Sequence, residues 1–293
     1  MSKSAKDADW RPLYPFASHE LRLEGLRYHY VDEGSGRPLL FVHGNPTWSF
    51  HWRRLIEALR GRFRAVAPDH IGCGLSDKPQ DYPYTLARHI ENLVQLVEHL
   101  DLSDITLVAQ DWGGPIGLGA ALARPERFSR IVLFNTGAFP PPYVPPRIRI
   151  CRTPLLGTLA IRGLNLFLRA ALVMTVEDRS CLTPAVRAGI LAPYDSWANR
   201  VAIDGFVRDI PLTRRHPTWR TLADIEAGLP SLADRPALFI WGMRDWCFRP
   251  QCLERLIESF PNAKVHRLET AGHWVMEEAH DRILTLVQGF LEK

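Results

Sequence analysis

The sequence predicts an α/β chain, with a mostly parallel central sheet flanked by helices and a helical cap inserted late in it. Three observations carry this. Through the first half, short apolar runs alternate with amphipathic helical patterns, the rhythm of strand–helix–strand units. From 140 to 146, five of seven residues are proline, which no sheet interior tolerates. From 148 to about 216 the pattern is helical, and the sheet resumes only at 237.

Residues 21–30 and 38–43 read as strands, 48–60 as a helix and 63–67 as a strand. In 85–100, Ile90, Leu93, Val94 and Val97 fall on one helical face. A strand at 105–109, a helix of small residues at 115–123 and a strand at 130–134 follow. After the insert come strands at 237–242 and 264–268 and a closing helix at 275–292. The core is therefore expected at 1–138 and 217–293, and the cap at 139–216. There is no internal repeat and no low-complexity tract.

Bulk composition excludes several classes. The 293 residues are 46% apolar and 23% charged, an ordinary globular balance. Only Met1 to Asp9, small, polar or charged after Met1, suits disorder. The net charge of +4 has local clusters at Arg147/Arg149 and Arg214–Arg215 but no long basic run, so nucleic acid is not an expected partner. The five cysteines, Cys73, Cys151, Cys181, Cys247 and Cys252, fit neither a zinc site nor a redox pair; buried free thiols in a reducing cytoplasm are expected. No metal or cofactor is implied. The N-terminus leads into no apolar run and no apolar stretch reaches 18 residues, so neither a secretory signal nor a transmembrane segment is expected.

The chemistry concentrates in four stretches. In Leu107-Val-Ala-Gln-Asp111-Trp112-Gly113-Gly114 a strand runs into a helix through Ala109, Gly113 and Gly114, the small–x–nucleophile–x–small shape of a nucleophile elbow. The elbow carries a carboxylate, which forms an ester that must later be cleaved. An aspartate here also serves as an ordinary helix N-cap, so the elbow alone does not decide. Phe41-Val-His43-Gly44-Asn45-Pro46 lies between strand and helix, where this architecture supplies an oxyanion hole. The backbone N–H groups of Asn45 and Trp112 are expected to converge on Asp111, and their side chains offer uncharged donors for a leaving anion or a developing carboxylate. After the last strand, Gly272-His273 supplies a base in the chain order nucleophile–acid–base. Asp245, just past the strand at 237–242, is the expected acid that orients His273; the competing position holds Asn135, which cannot supply the charge. The glycine-rich turn Asp69-His-Ile-Gly72-Cys-Gly74 lacks the Walker lysine pattern and reads as a structural loop.

Together, His43-Gly44-Asn45-Pro46, Asp69-His70-Ile71-Gly72, Gln110-Asp111-Trp112-Gly113-Gly114 and Gly272-His273 resemble the haloalkane dehalogenase family of α/β-hydrolases, over roughly residues 20–138 and 230–293. The resemblance implies the α/β-hydrolase fold, Asp111 as nucleophile, His273 as base, and Asn45 with Trp112 as the binders of the leaving halide. A narrower likeness lies in Asn135-Thr-Gly-Ala-Phe-Pro140, Ala192-Pro-Tyr-Asp-Ser-Trp197 and Asp209-Ile-Pro-Leu212, which resemble the β-lactone decarboxylases of bacterial long-chain olefin biosynthesis. It implies conversion of cis-dialkyl β-lactones to cis-alkenes and carbon dioxide. Haloalkane hydrolysis is the alternative; epoxide hydrolysis, using Tyr143 and Tyr194 as acids, and a non-catalytic ligand-binding module are less favoured. The expected partner is a small apolar substrate. Homo-oligomerisation, assembly with other olefin-pathway enzymes and membrane contact through exposed cap residues near Ile148 stay open.

Overall fold

A computed structural model describes residues 9–292. The disorder expected for the N-terminus falls, apart from Asp9, outside the described residues. The strands are β1 (His19–Leu23), β2 (Leu26–Glu33), β3 (Pro38–Val42), β4 (Arg64–Pro68), β5 (Ile105–Asp111), β6 (Phe128–Thr136), β7 (Ala237–Gly242) and β8 (Lys264–Leu268). They form one eight-stranded sheet in the order β1-β2-β4-β3-β5-β6-β7-β8. The β1–β2 and β2–β4 pairs are antiparallel, and every other pair is parallel.

The helices are α1 (Arg53–Leu59), α2 (Leu86–His99), α3 (Gly113–Ala123), α4 (Pro146–Cys151), α5 (Leu156–Thr158), α6 (Leu166–Met174), α7 (Pro184–Leu191), α8 (Val201–Asp209), α9 (Pro217–Gly228), α10 (Pro250–Ser259), α11 (Val275–Glu278) and α12 (His280–Leu291). A π-turn at Leu159–Gly163 joins α5 to α6.

Central strands covered on both faces must be apolar on both. Leu40, Val42, Leu107 and Ala109 pack into the layer shared with Leu93 of α2 and Ile116 of α3. Their neighbours Leu39, Phe41 and Val108 pack on the opposite side, with Leu55 of α1 and Ile283 of α12. Between β6 and β7 the described chain makes no strand, only helices. Ile161, Leu168, Leu172 and Ile190 of this insertion form a third cluster against Trp48, Phe50 and Trp274.

Two expected elements divide. The strand expected at 21–30 is two strands, because Glu24 and Gly25 take φ of 51° and 85° and close a two-residue hairpin between Leu23 and Leu26. The closing helix breaks at Ala279, whose φ of −129° and ψ of 29° lie outside the helical region. All five cysteines are free, and only Cys73 is fully buried; the other four are half-buried.

The topology chooses the place of the site. From β3 the chain pairs β4 on one side, then crosses to place β5 on the other. Ligands of open α/β sheets bind at such a switch point, beyond the carboxyl ends of the strands. Asn45 lies just past β3, and Asp111 ends β5.

Beside it a buried ion pair fastens α1 to α11. Arg53 Nη1 and Nη2 donate to Glu277 Oε1 and Oε2 at 2.6 and 2.7 Å. Arg53→Met would leave the Glu277 carboxylate buried and unpaired, costing about 3–5 kcal/mol. Scanning calorimetry should show Tm lowered by roughly 10 °C, with much of that loss recovered in Arg53→Met/Glu277→Met; an unchanged single variant would remove the pair from any structural role.

Candidate active site

The turn out of β5 is strained and crowded. Asp111 takes φ of 54°, a region that costs free energy for a non-glycine residue and persists only where the surroundings enforce it. Thr136 Oγ1 donates to the Asp111 carbonyl at 2.5 Å. A side chain at Gly113 would put its Cβ 2.0 Å from the Val42 carbonyl oxygen, and one at Gly114 would come within 1.9 Å of Thr136 Oγ1. Small residues here let α3 start against β3 and β6, and the turn then aims Asp111 away from the sheet.

The Asp111 carboxylate has two different sides. Oδ1 accepts the Asn45 backbone N–H at 2.7 Å, and the backbone N–H of Trp112, the next residue, favours the charged carboxylate. Oδ2 lies 3.7 Å from His273 Nε2. His273 Nδ1 is 2.7 Å from Asp245 Oδ2. Asp245, itself buried, has its other oxygen held by the backbone N–H groups of Cys247 and Phe248 at 2.7 and 3.1 Å. All five residues expected from the sequence thus meet in one place.

Electrostatics follows from this geometry. Burial raises the Asp111 pKa above the ordinary carboxylate value, although His273 and the two amides pull it down. Burial opposes charge on His273, but the adjacent Asp245 carboxylate and its hydrogen bond outweigh it, so the imidazole pKa is raised. A histidine so placed, between a carboxylate that orients it and one that faces it, holds its proton more readily than a free imidazole.

The donors expected of the Asn45 and Trp112 side chains are only partly committed. Asn45 Nδ2 makes a long 3.5 Å contact with the Ile203 carbonyl, and Asn45 Oδ1 is buried with no partner among the described residues. Both side chains line the cavity next to Asp111. Asn135 exchanges two hydrogen bonds with the backbone of Gly242, at 2.9 and 2.8 Å, so it joins the ends of β6 and β7. A carboxylate there could accept but not donate. Asp69 accepts from Ser49 N and Leu75 N and bonds His29 Nδ1, pinning the glycine-rich loop. Tyr194 is fully buried and its hydroxyl donates to the Thr47 carbonyl at 3.1 Å, so the tyrosine pair that epoxide chemistry would need is not assembled beside Asp111.

Two residues around the site were given no role from the sequence. Gln110 Oε1 accepts from His51 Nε2 at 2.5 Å, and its amide donates to the His273 carbonyl. Burial lowers the His51 pKa to about 4, so this ring stays neutral. Glu278 Oε2 accepts from Gly272 N at 2.6 Å, while Oε1 accepts from Glu177 N and Asp178 N at 2.7 and 2.9 Å. It fastens the histidine loop to the insertion. Gln110 stood within a recognisable motif, but nothing local showed what it would touch.

Above the carboxylate lies a cavity of about 660 Å³. Its floor is Asn45, Asp111, Trp112 and His273; its walls are apolar, with Phe139, Ile148, Phe167, Met174, Val207 and Leu222 among them. Such a space binds an apolar body and offers it few, directed polar groups. Among the described residues no group of three or more His, Cys, Asp or Glu side chains could hold a metal ion.

Residues 37–155 and 160–280 match the family model of the alpha/beta hydrolase fold. The chain belongs to the α/β-hydrolase family. Within the family, it is 43% identical to a cis-3-alkyl-4-alkyloxetan-2-one decarboxylase of Shewanella oneidensis, over 95% of this chain and 89% of that protein. A protein of the same name from Xanthomonas campestris is 39% identical, over 96% and 98%. Haloalkane dehalogenase 2 of Mycobacterium tuberculosis is 37% identical, over 94% and 95%. Among solved structures, the haloalkane dehalogenase DatA from Agrobacterium tumefaciens superposes with a TM-score of 0.84 at 28% identity, covering 94% of this chain and 96% of that one. An oxetan-2-one is a β-lactone, so the resemblances drawn from the motifs, to dehalogenases and to β-lactone decarboxylases, are both borne out. This α/β-hydrolase is an enzyme acting on a small-molecule substrate.

The Asp245–His273 contact can be measured directly. With His273→Gln used for assignment, NMR titration of the histidine rings should place the His273 midpoint above 6.5, the ordinary histidine value. In Asp245→Asn the larger of the two raising carboxylates is gone while burial and the facing Asp111 remain, so the midpoint should fall below the wild-type one. A midpoint that ignored the substitution would remove Asp245 as the partner that sets the charge of His273.

Proposed function

We propose that this enzyme decarboxylates cis-3,4-dialkyl oxetan-2-ones to cis-alkenes and carbon dioxide, through a covalent ester on Asp111. The observation that carries the reading is the apolar 660 Å³ cavity closed at its floor by Asp111, in a chain 43% and 39% identical to two such decarboxylases. Residues 139–216 serve as the cap that encloses the alkyl chains.

The chemistry balances most simply if Asp111 attacks the saturated C4 of the ring. The Asp111–C4 bond forms, the C4–O bond breaks with relief of ring strain, and a carboxylate is released at C3. That C3–carboxylate bond then breaks, its electron pair forms the C3–C4 double bond, and the ester bond to Asp111 leaves with its electrons on the aspartate. Carbon dioxide and alkene depart and the enzyme is restored. Inversion at C4 followed by anti elimination preserves the cis relation of the two chains. Attack at the C2 carbonyl would instead leave an alkoxide at C4 that must be expelled as hydroxide, which is a poorer leaving group.

Each polar residue then has a task. The backbone N–H groups of Asn45 and Trp112 orient Asp111 and disperse its charge as it leaves; their side chains hold the carboxylate displaced from the ring. His273, oriented by Asp245, activates water against any ester that does not collapse. A haloalkane has no carboxylate to expel, so its ester can be released only by that water. The mycobacterial relative and the halide-suited pair Asn45 and Trp112 support haloalkane hydrolysis as the second reading. As an olefin-forming enzyme, this protein would work in the cytoplasm, alone or assembled with itself or with the enzymes that make its lactone.

A paired assay separates the two. Purified protein receives a cis-3,4-dialkyl β-lactone, followed for alkene, and a 1-bromoalkane, followed for bromide. Fast alkene formation with feeble bromide release is expected, and Asp111→Ala should lower the alkene rate by at least ~10⁴-fold. Strong bromide release with the lactone untouched would replace the decarboxylase with a dehalogenase.

A further inference from the structure

The basic excess of this chain is confined to one region. Residues 139–216 hold eleven arginines, no lysine and five acidic residues, a net charge of +6 in a chain whose total is +4, so all the rest carries −2. Within that region, residues 143–173 contain Arg147, Arg149, Arg152, Arg162 and Arg169 and no acid at all. Arg147, Arg149 and Arg169 are exposed, and none of the five makes an ion pair among the described residues.

The same 31 residues concentrate the exposed apolar surface. Eight of the eleven exposed large hydrophobic side chains in the described protein lie here, among them Ile150, Leu155, Leu156, Leu159, Leu164 and Leu166. Leu155 is 79% exposed and stands at φ of 59°, a conformation leucine avoids. A strained, solvated leucine contributes nothing to the core, which points to a use outside it. Leu156–Gly163 and Leu166–Met174 together have the length and apolarity of a membrane span, yet the pair is bent by 73°. That shape suits lying along a surface. Tyr143, Ile150 and Leu166 are exposed and also line the cavity, so the cavity opens through this patch.

We propose that residues 143–173 dock the enzyme on an anionic lipid bilayer, with the leucines entering the head-group region and the arginines pairing with lipid phosphates. Protein interfaces are centred on aromatic, methionine and arginine anchors, and leucine is under-represented among their hot spots. A leucine-dominated patch with arginines among it and no acid matches the bilayer interface better. Docking would set the cavity mouth against the acyl chains, where a long-chain substrate or product dissolves. That last use rests on the function proposed above; the docking itself does not.

The test is flotation of the full-length protein with vesicles, which needs no turnover. Wild type should float with phosphatidylglycerol/phosphatidylethanolamine vesicles and not with pure phosphatidylcholine. Arg149→Gln/Arg169→Gln should weaken binding roughly 30-fold, at about 1 kcal/mol for each arginine. Leu155→Gly/Leu156→Gln should also release the protein, with circular dichroism and the unfolding midpoint preserved, since both residues are exposed and neither lines the cavity. Wild type that stays with the soluble fraction, or flotation indifferent to both variants, would overturn the proposal. So would self-association in sedimentation velocity that Leu155→Gly/Leu156→Gln disperses while no vesicle binding is seen, because the patch would then be a contact between copies. Vesicle binding without lactone turnover would keep the docking surface and discard the function.

Discussion

The structure turns on holding a carboxylate at the end of a buried strand in a conformation it would not choose. Asp111 ends β5 at φ of 54°, with Gly44 before it, Gly113 and Gly114 behind it, and Thr136 Oγ1 on its carbonyl. Each neighbour is small because a Cβ would strike backbone or side chain within about 2 Å. The twisted parallel sheet supplies the rigid frame that enforces this turn. In exchange, one carboxylate oxygen accepts the Asn45 backbone N–H and the other faces an imidazole.

Burial raises the energy of that charge, and the surroundings answer with directed dipoles instead of water. Asp245 is treated the same way, with two backbone N–H groups on one oxygen and His273 on the other. The histidine between them is held on its backbone side as well: Gln110 reaches its carbonyl, and Glu278 ties the preceding glycine to the insertion. Hence the same contacts that fix the imidazole also fasten the insertion over it. Trp274 N donating to the Thr175 carbonyl and Trp246 Nε1 to the Met174 carbonyl, at 2.9 and 2.7 Å, add to that seam. A polar floor of few residues thus lies beneath an apolar roof, a division suited to a substrate that is almost entirely hydrocarbon around one reactive ring.

The sequence was most legible where physics is local. A strand ending in small residues around an aspartate, a glycine before a late histidine, and a run of prolines between sheet and insertion all declare themselves within a few positions, and order along the chain suggests candidates for nucleophile, acid and base. Asn135 could be set aside as an acid from its side-chain chemistry alone. The hairpin at Glu24–Gly25 was harder, because a two-residue turn inside a continuous run of strand formers leaves the periodicity unbroken.

What remained hidden depends on residues distant in the chain. Gln110 and His273 are separated by 163 positions, Glu278 and Glu177 by 101, and no spacing rule predicts that their polar atoms meet. The cavity, its volume and the side chains that face it arise only when the insertion packs over the switch point between β3 and β5. The sequence alone showed the fold class and pointed to the candidate reacting groups in their order, because these follow from side-chain chemistry and local backbone preference. Which oxygen of Asp111 meets the Asn45 amide, what holds His273 in place, and where apolar surface is left facing solvent were decided by packing, since distance and burial are properties of the folded chain.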